Sequence, residues 1–345
     1  MHHPLRIWLL IWMIGACSAS SFAQSSPALT YLESVMSPLG EHKQETWKYL
    51  RAVTRGKGAR KVEKKRQALI QAIRDSKRTV ARQGGFQGDL SLKKSVSTYL
   101  DISYSVLKED YDKILDMEAI AEQSYDAMEA YLLTKEQANK KLDEAWATMD
   151  EQYRTFAAAY NIEIVEGEAD DQDKKIQESQ ALLSYYNRLY LIFFKSYIQE
   201  VYVMAAMEED DLNSLEQNIG ALLAFSAEGT AKLDTISLYQ DDPALKQATQ
   251  KILSYFQEAG ERHYPQVVDF YLKKDNFEQL KTVVDTKPQK ELTQEDVDRF
   301  NAAVEDYNAS VNQVNSVNET LNQRRGKEME AFNKAMDKFL TKHSL

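Results

Sequence analysis

The stretch Phe86-Gln87-Gly88-Asp89-Leu90-Ser91-Leu92-Lys93 returns 153 positions later as Tyr239-Gln240-Asp241-Asp242-Pro243-Ala244-Leu245-Lys246. Each version reads as an aromatic, a tight polar turn whose Asp caps a helix, and the start of an apolar-periodic helix. At the same offset Val62-Glu63 falls on Leu215-Glu216, Ala68-Leu69-Ile70 on Ala221-Leu222-Leu223, and Tyr111 on Tyr264. Further on, Ala127, Met128, Glu129, Tyr131 and Phe156 fall on Ala303, Val304, Glu305, Tyr307 and Phe332, an offset of 176. The change of offset implies 23 extra residues around Asn276 to Gln294. A constant offset over separate segments predicts a chain folded as two copies of one helical unit, each a packed bundle.

The spacing of apolar residues says which elements those units contain. Only 12 Gly and 6 Pro punctuate 345 residues, and β-branched runs are almost absent, so the expected fold class is all-α with long antiparallel helices. A first helix from Ala28 towards Thr54 should kink at Pro38. A second, Ala59 to Gln83, places Val62, Leu69, Ile73 and Val80 on one face and ends at Gly84-Gly85. A third follows Asp89, and helical pattern continues from Met117 to Tyr160. Glu163 to Asp173 breaks the pattern, which places one unit at 24–165 and the other at 166–345. Leu182 to Met207 is apolar nearly all round, as in a helix buried on several sides. The last helix, Thr293 to His343, carries Val297, Phe300, Val304, Tyr307, Val311, Val314 and Leu321 at alternating spacings of three and four. That seam is expected to pack on the protein's own helices.

Residues 1–23 read as a signal peptide, with a ten-residue apolar core from Ile7 to Ala16 that is too short for a permanent span. Two exits compete. Ser21-Phe22-Ala23 suits ordinary cleavage before Gln24, whereas Ile14-Gly15-Ala16-Cys17 looks like a bacterial lipobox in which Cys17 would be lipidated. Cys17 is the sole cysteine, so neither exit leaves a disulfide within the mature chain. No later stretch is apolar enough to be a transmembrane span. A net charge of −10 argues against nucleic acid as partner.

Chemistry-bearing constellations are sparse. No Glu-x-x-His pair of the kind that builds di-iron bundles is present, no Ser or Cys nucleophile stands near a His, and no cofactor is expected. Gly40-Glu41-His42-Lys43-Gln44-Glu45 is similar to the Gly-x-His-x-x-Glu motif of the imelysin family, periplasmic α-helical proteins. His42 and Glu45, one helical turn apart, would then share a metal. The charge pattern offers a different candidate. Arg55, Lys57, Arg60, Lys61, Lys64, Lys65 and Arg66 crowd a segment with one acid, Glu63, while the corresponding segment of the second copy is Glu208-Glu209-Asp210-Asp211. A basic corner of this kind suits an anionic partner: lipid or lipopolysaccharide phosphates, an envelope protein, or the acidic corner of a second copy by self-association.

Taken together, several segments resemble a largely uncharacterised family of exported bacterial surface proteins, some of them lipoproteins, known from Leptospira and Bacteroidetes. The resemblance is carried by Ala59-Arg60-Lys61-Val62-Glu63-Lys64-Lys65-Arg66, Gly88-Asp89-Leu90-Ser91-Leu92-Lys93, and Met117-Glu118 through Tyr131-Leu132-Leu133. Tyr185-Tyr186-Asn187, Leu191 through Tyr197 and Phe270-Tyr271-Leu272-Lys273-Lys274 add to it. It implies a protein of the periplasm or outer membrane of a Gram-negative-type bacterium, with no assigned activity or site. The expectation is therefore an exported cell-envelope protein with a non-catalytic binding or structural role, the alternative being an imelysin-like metal protein or enzyme using His42 and Glu45.

Overall fold

The computed structural model describes residues 26–55, 59–110, 120–164 and 171–344. The expected leader, with Cys17, and also Lys57 lie outside these described residues. The helices are α1 (Pro27–Met36), α2 (Leu39–Thr54), α3 (Ala59–Arg82), α4 (Ser91–Ser105), α5 (Tyr125–Ala159), α6 (Asp171–Glu208), α7 (Leu212–Asp234), α8 (Ala244–Glu258), α9 (Tyr264–Thr286) and α10 (Gln294–His343). No β-strand occurs among the described residues, so the fold is all-α. Two compact units are present: the first runs to Ser184 and takes in the residues from Leu340 on, and the second is Tyr185–Phe339. The division falls inside α6, whose opening turns belong with the first unit.

In the first unit α4 packs on α1, α3 and α5, and α2 packs on α3. Pro38 separates α1 from α2 because it cannot donate to the helical ladder, and Ser76 Oγ donates to its carbonyl at 2.7 Å. The amphipathic faces meet in a core that includes Leu32, Ile73, Val96, Leu100 and Phe156. Each such side chain contributes about 1.5–3 kcal/mol by leaving water.

The turn before α4 closes with a pair of backbone hydrogen bonds between Phe86 and Asp89, both 2.9 Å. Gln87 and Gly88 take positive φ, +52° and +86°, the geometry of a tight two-residue reversal. Gly85 is required by crowding, since a Cβ there would sit 2.7 Å from the Asp89 carbonyl oxygen. The N-cap is Leu90, without a side-chain cap, rather than Asp89; one place earlier, the Asp89 carboxylate accepts from Ser91 N at 2.7 Å and holds the turn against the helix start. Lys93 reaches back to the carbonyls of Ala81 and Gln83, so α4 supplies the positive charge that caps the C-terminus of α3. Phe86 packs inward on Tyr31, Phe156 and Tyr160.

The second unit repeats these devices at the 153-residue offset. Tyr239 bridges Asp242, Gln240 and Asp241 take positive φ, Asp242 accepts from Ala244 N, and Lys246 donates to Ile236 O. Both α4 and α8 then widen into a π turn of five residues, Val106–Asp110 and Ala259–His263. The buried positions Val35, Leu39, His42, Tyr49 and Ala52 recur 154 residues on as Leu189, Phe193, Ser196, Val203 and Ala206.

One register differs from the sequence expectation. Tyr31 and Phe86 meet Phe156, whereas Tyr185 and Tyr239 meet Phe339 rather than Phe332. The buried positions Ala138, Met149, Tyr153 and Phe156 likewise recur as Leu321, Phe332, Met336 and Phe339, an offset of 183. The sequence match at 176 is one heptad short, because a seven-residue slip along a helix restores nearly the same face. The second unit thus carries 30 extra residues, the difference between 183 and 153. They lengthen α9 and α10 into a hairpin held by ring stacks of Phe277 on Phe300 and Tyr307 and of Phe270 on Tyr307. Over this length the apolar seam of α10 therefore packs on α9.

Candidate functional site

A cavity of about 520 Å³ opens in the first unit, within the range that holds small organic ligands. Leu39, Leu69, Leu107 and Ser103 line its buried part, and Tyr49, Tyr99 and Trp146 supply aromatic walls. Asp143, Glu33 and Lys43 bring charge to it. The walls come from α1, α2, α3, α4, α5 and the first turns of α6. Pro38 matters here: by breaking the helix it turns α2 so that Leu39, His42, Thr46 and Tyr49 all line the cavity.

The second unit shows why the space is open in the first. At the matching positions it carries Phe193 for Leu39, Phe256 for Ser103 and Phe332 for Met149. These three rings pack together, with centroids of Phe193 and Phe332 4.2 Å apart and of Phe193 and Phe256 6.3 Å apart. A smaller hollow of about 320 Å³ in that unit is lined by Arg325, Tyr264 and Asn322, and not by the three phenylalanines. Beside it Glu200, wholly buried, accepts hydrogen bonds from Tyr255 (2.7 Å) and Tyr264 (3.1 Å) and pairs with Arg325. The first unit has Thr46 and Leu142 where the second has Glu200 and Arg325. At these positions the second unit carries packed rings and a buried ion pair, and the first carries smaller or neutral groups.

His42 lies against Tyr99, ring centroids 5.6 Å apart, and Tyr99 meets Trp146 edge-on at 5.2 Å. Burial pushes the His42 imidazole down to about 4, so the ring is neutral at ordinary pH. Burial likewise drives the Tyr99 phenol well above its usual range; the adjacent Ser103 hydroxyl opposes the shift and the Asp143 charge adds to it. Asp143 is itself raised, first by desolvation and then by Glu144. Asp150, also on the lining, is engaged by Arg154 at 2.8 Å. Ser103 is fully buried, and its hydroxyl lies beside the Tyr99 phenol without a hydrogen bond of normal geometry. His42 and Ser103 therefore form no nucleophile–base pair, although both line the same cavity.

The residues singled out from sequence separate into different environments. His42 faces the cavity, while Glu45 is held by Lys48 at 2.6 Å. Among the described residues no group of three or more His, Cys, Asp or Glu side chains is placed to hold a metal ion. Arg55, Arg60, Lys61 and Lys64 are exposed and Lys65 is half-buried. Arg66 does not belong with them. It is buried, bonded to Glu63 at 2.8 and 3.0 Å, and donates at 2.7 Å to the carbonyl of Leu107 in the π turn. A π turn withdraws carbonyls from the regular ladder, and Arg66 satisfies one of them; its role is structural. In the acidic segment Asp211 caps α7 through Ser214 N and Asp210 pairs with Lys274.

Tyr99, Ser103, Asp143 and Trp146 escaped the sequence reading. One signal was available: at the 153-residue offset a Ser stands where the second unit has a Phe, inside otherwise matching apolar spacing. Asp143 and Trp146 reach the site from α5, whose register against α10 was legible only to within a heptad. Among the described residues no helix is long and apolar enough to cross a membrane. In comparison with known proteins, the chain matches no family model, no curated protein and no solved structure.

Proposed function

We propose that the chain is an exported cell-envelope protein that works by binding rather than catalysis, and that the first unit's cavity is its ligand site. On this reading the two units are copies of one ancestor that have diverged, one kept as scaffold and one opened. The observation that carries it is the exchange at a single place in the fold: Phe193 and Phe256 pack together in the second unit, and Leu39 and Ser103 line a cavity at the matching positions of the first. Empty apolar volume costs stability, so a space of this size is better explained by use than by neglect. The fluorescent apolar probe N-phenyl-1-naphthylamine should bind the mature protein in a saturable manner. Ser103→Phe, which restores the second unit's residue, should abolish that binding with unchanged helical circular dichroism. Undiminished binding in the folded variant refutes the site.

Export rests on the leader, and mass analysis of the mature N-terminus decides between an acylated Cys17 and a start at Gln24. The exposed Arg60, Lys61 and Lys64 of α3 suit docking on an anionic lipid surface. Reversing Lys61, Lys64 and Lys65 to Glu should weaken sedimentation with anionic vesicles; unchanged retention removes that partner. Metal analysis of the purified protein with a His42→Ala control tests the imelysin-like alternative.

A further inference from the structure

The cavity has a polarity that narrows its ligand further. Its buried end is hydrocarbon: Leu39, Leu69 and Leu107 are each less than a tenth exposed. Its mouth carries carboxylates, of which Asp150 already has Arg154 for a partner at 2.8 Å. Asp143 has no such partner among the described residues, although Lys140 and Arg154 stand on the same helix and pair with Glu144 and Asp150 instead. Asp143 lies one turn before Trp146 on α5, so the two share a face. Trp146 in turn meets Tyr99 at right angles. One carboxylate and two aromatic rings thus converge on the opening.

Such a corner attracts positive charge twice over, by Coulomb attraction to the carboxylate and by the negative ring faces. Nothing deeper repels it, because His42 is neutral. An anionic head group, by contrast, would find Lys43 as the one cation on the cavity lining among the described residues, and Lys43 already has an interaction of its own. The second unit has neither element of the corner: Gly326, Met329 and Ile252 stand where the first has Asp143, Trp146 and Tyr99.

We infer that the first unit takes an amphiphilic amine, with its apolar chain or ring system in the cavity and its protonated nitrogen at the mouth, between the Asp143 carboxylate and the faces of Tyr99 and Trp146. This rests on the cavity being a binding site. The test displaces N-phenyl-1-naphthylamine from the full mature protein at pH 7 with decylamine, decanol and decanoate, which share a chain and differ in the charge of the head, all below their micelle thresholds. Decylamine should compete at a concentration at least about ten-fold lower than decanol, with decanoate weakest. Asp143→Asn should bring decylamine to the level of decanol and leave decanol unchanged. Equal competition by amine and alcohol overturns the inference, as does an amine preference that survives in Asp143→Asn. Failure of the probe to bind at all, or binding indifferent to Ser103→Phe, overturns the cavity reading instead.

Discussion

Glu200→Gln is the substitution that most directly probes what holds the second unit together. Glu200 has no exposed surface; one carboxylate oxygen accepts from the hydroxyls of Tyr255 and Tyr264, and the other lies 3.1 Å from Arg325 Nε. Burial, and then the Glu200 charge, drive the Tyr255 hydroxyl far above its ordinary range, so it stays a donor. The amide of Gln keeps an acceptor for the two tyrosines but removes the charge opposite Arg325, whose side chain is only 19% exposed. An Arg left with little water and no counter-ion costs about 3–5 kcal/mol, a large share of the roughly 5–15 kcal/mol by which a domain is stable. Arg325→Met alone should cost a similar amount by stranding the carboxylate. The double variant should cost less than the sum by about 2 kcal/mol or more, because neither charge remains to be stranded. Urea titrations followed by far-ultraviolet circular dichroism give all four corners of the cycle. Costs that add to within about 0.5 kcal/mol would show that the pair is not coupled and would refute the reasoning.

Two further outcomes follow from the first unit and from the turns. His42 is held at about 4 by burial against an ordinary 6.5, so between those pH values the unfolded chain takes up a proton that the folded chain refuses. Stability is therefore full above about 6.5 and falls by roughly 2–3 kcal/mol as pH drops towards 4.5. His42→Leu should lose that much less than the wild type in urea midpoints compared at pH 7.5 and 4.5, and an equal loss in both would rule His42 out as the cause. In the turn before α8, Asp241 holds φ +57° where the first unit has Gly88, so Asp241→Gly should stabilise by about 0.5 kcal/mol. Its neighbour Asp242, which accepts from Ala244 N at 2.9 Å, should cost about 1 kcal/mol on replacement by Ala. Chemical denaturation of the two variants measures both signs in one turn.

What the sequence determined by itself was everything that depends on neighbours along the chain. The helices, the Pro38 break, the Asp-closed turns and their recurrence at 153 follow from local sterics and from apolar spacing at the helical period, both written directly in residue order. The candidate site was legible only in fragments. His42 stood out through a short motif, yet its setting against Tyr99 and Trp146 depends on how α2, α4 and α5 pack. Arg66 looked like one more surface base because a charge run does not say which member turns inward to meet a π-turn carbonyl. The register of α5 against α10 slipped by one heptad, since seven residues return a helix almost to the same face. Only the tertiary structure decided that Ser103 faces a cavity and Phe256 a filled core, because volume is a property of three or four helices at once. A single Ser-for-Phe exchange is unremarked in a helical pattern; on a lining shared with Leu39 and Tyr99, it marks the place where one unit holds a cavity and the other a cluster of rings.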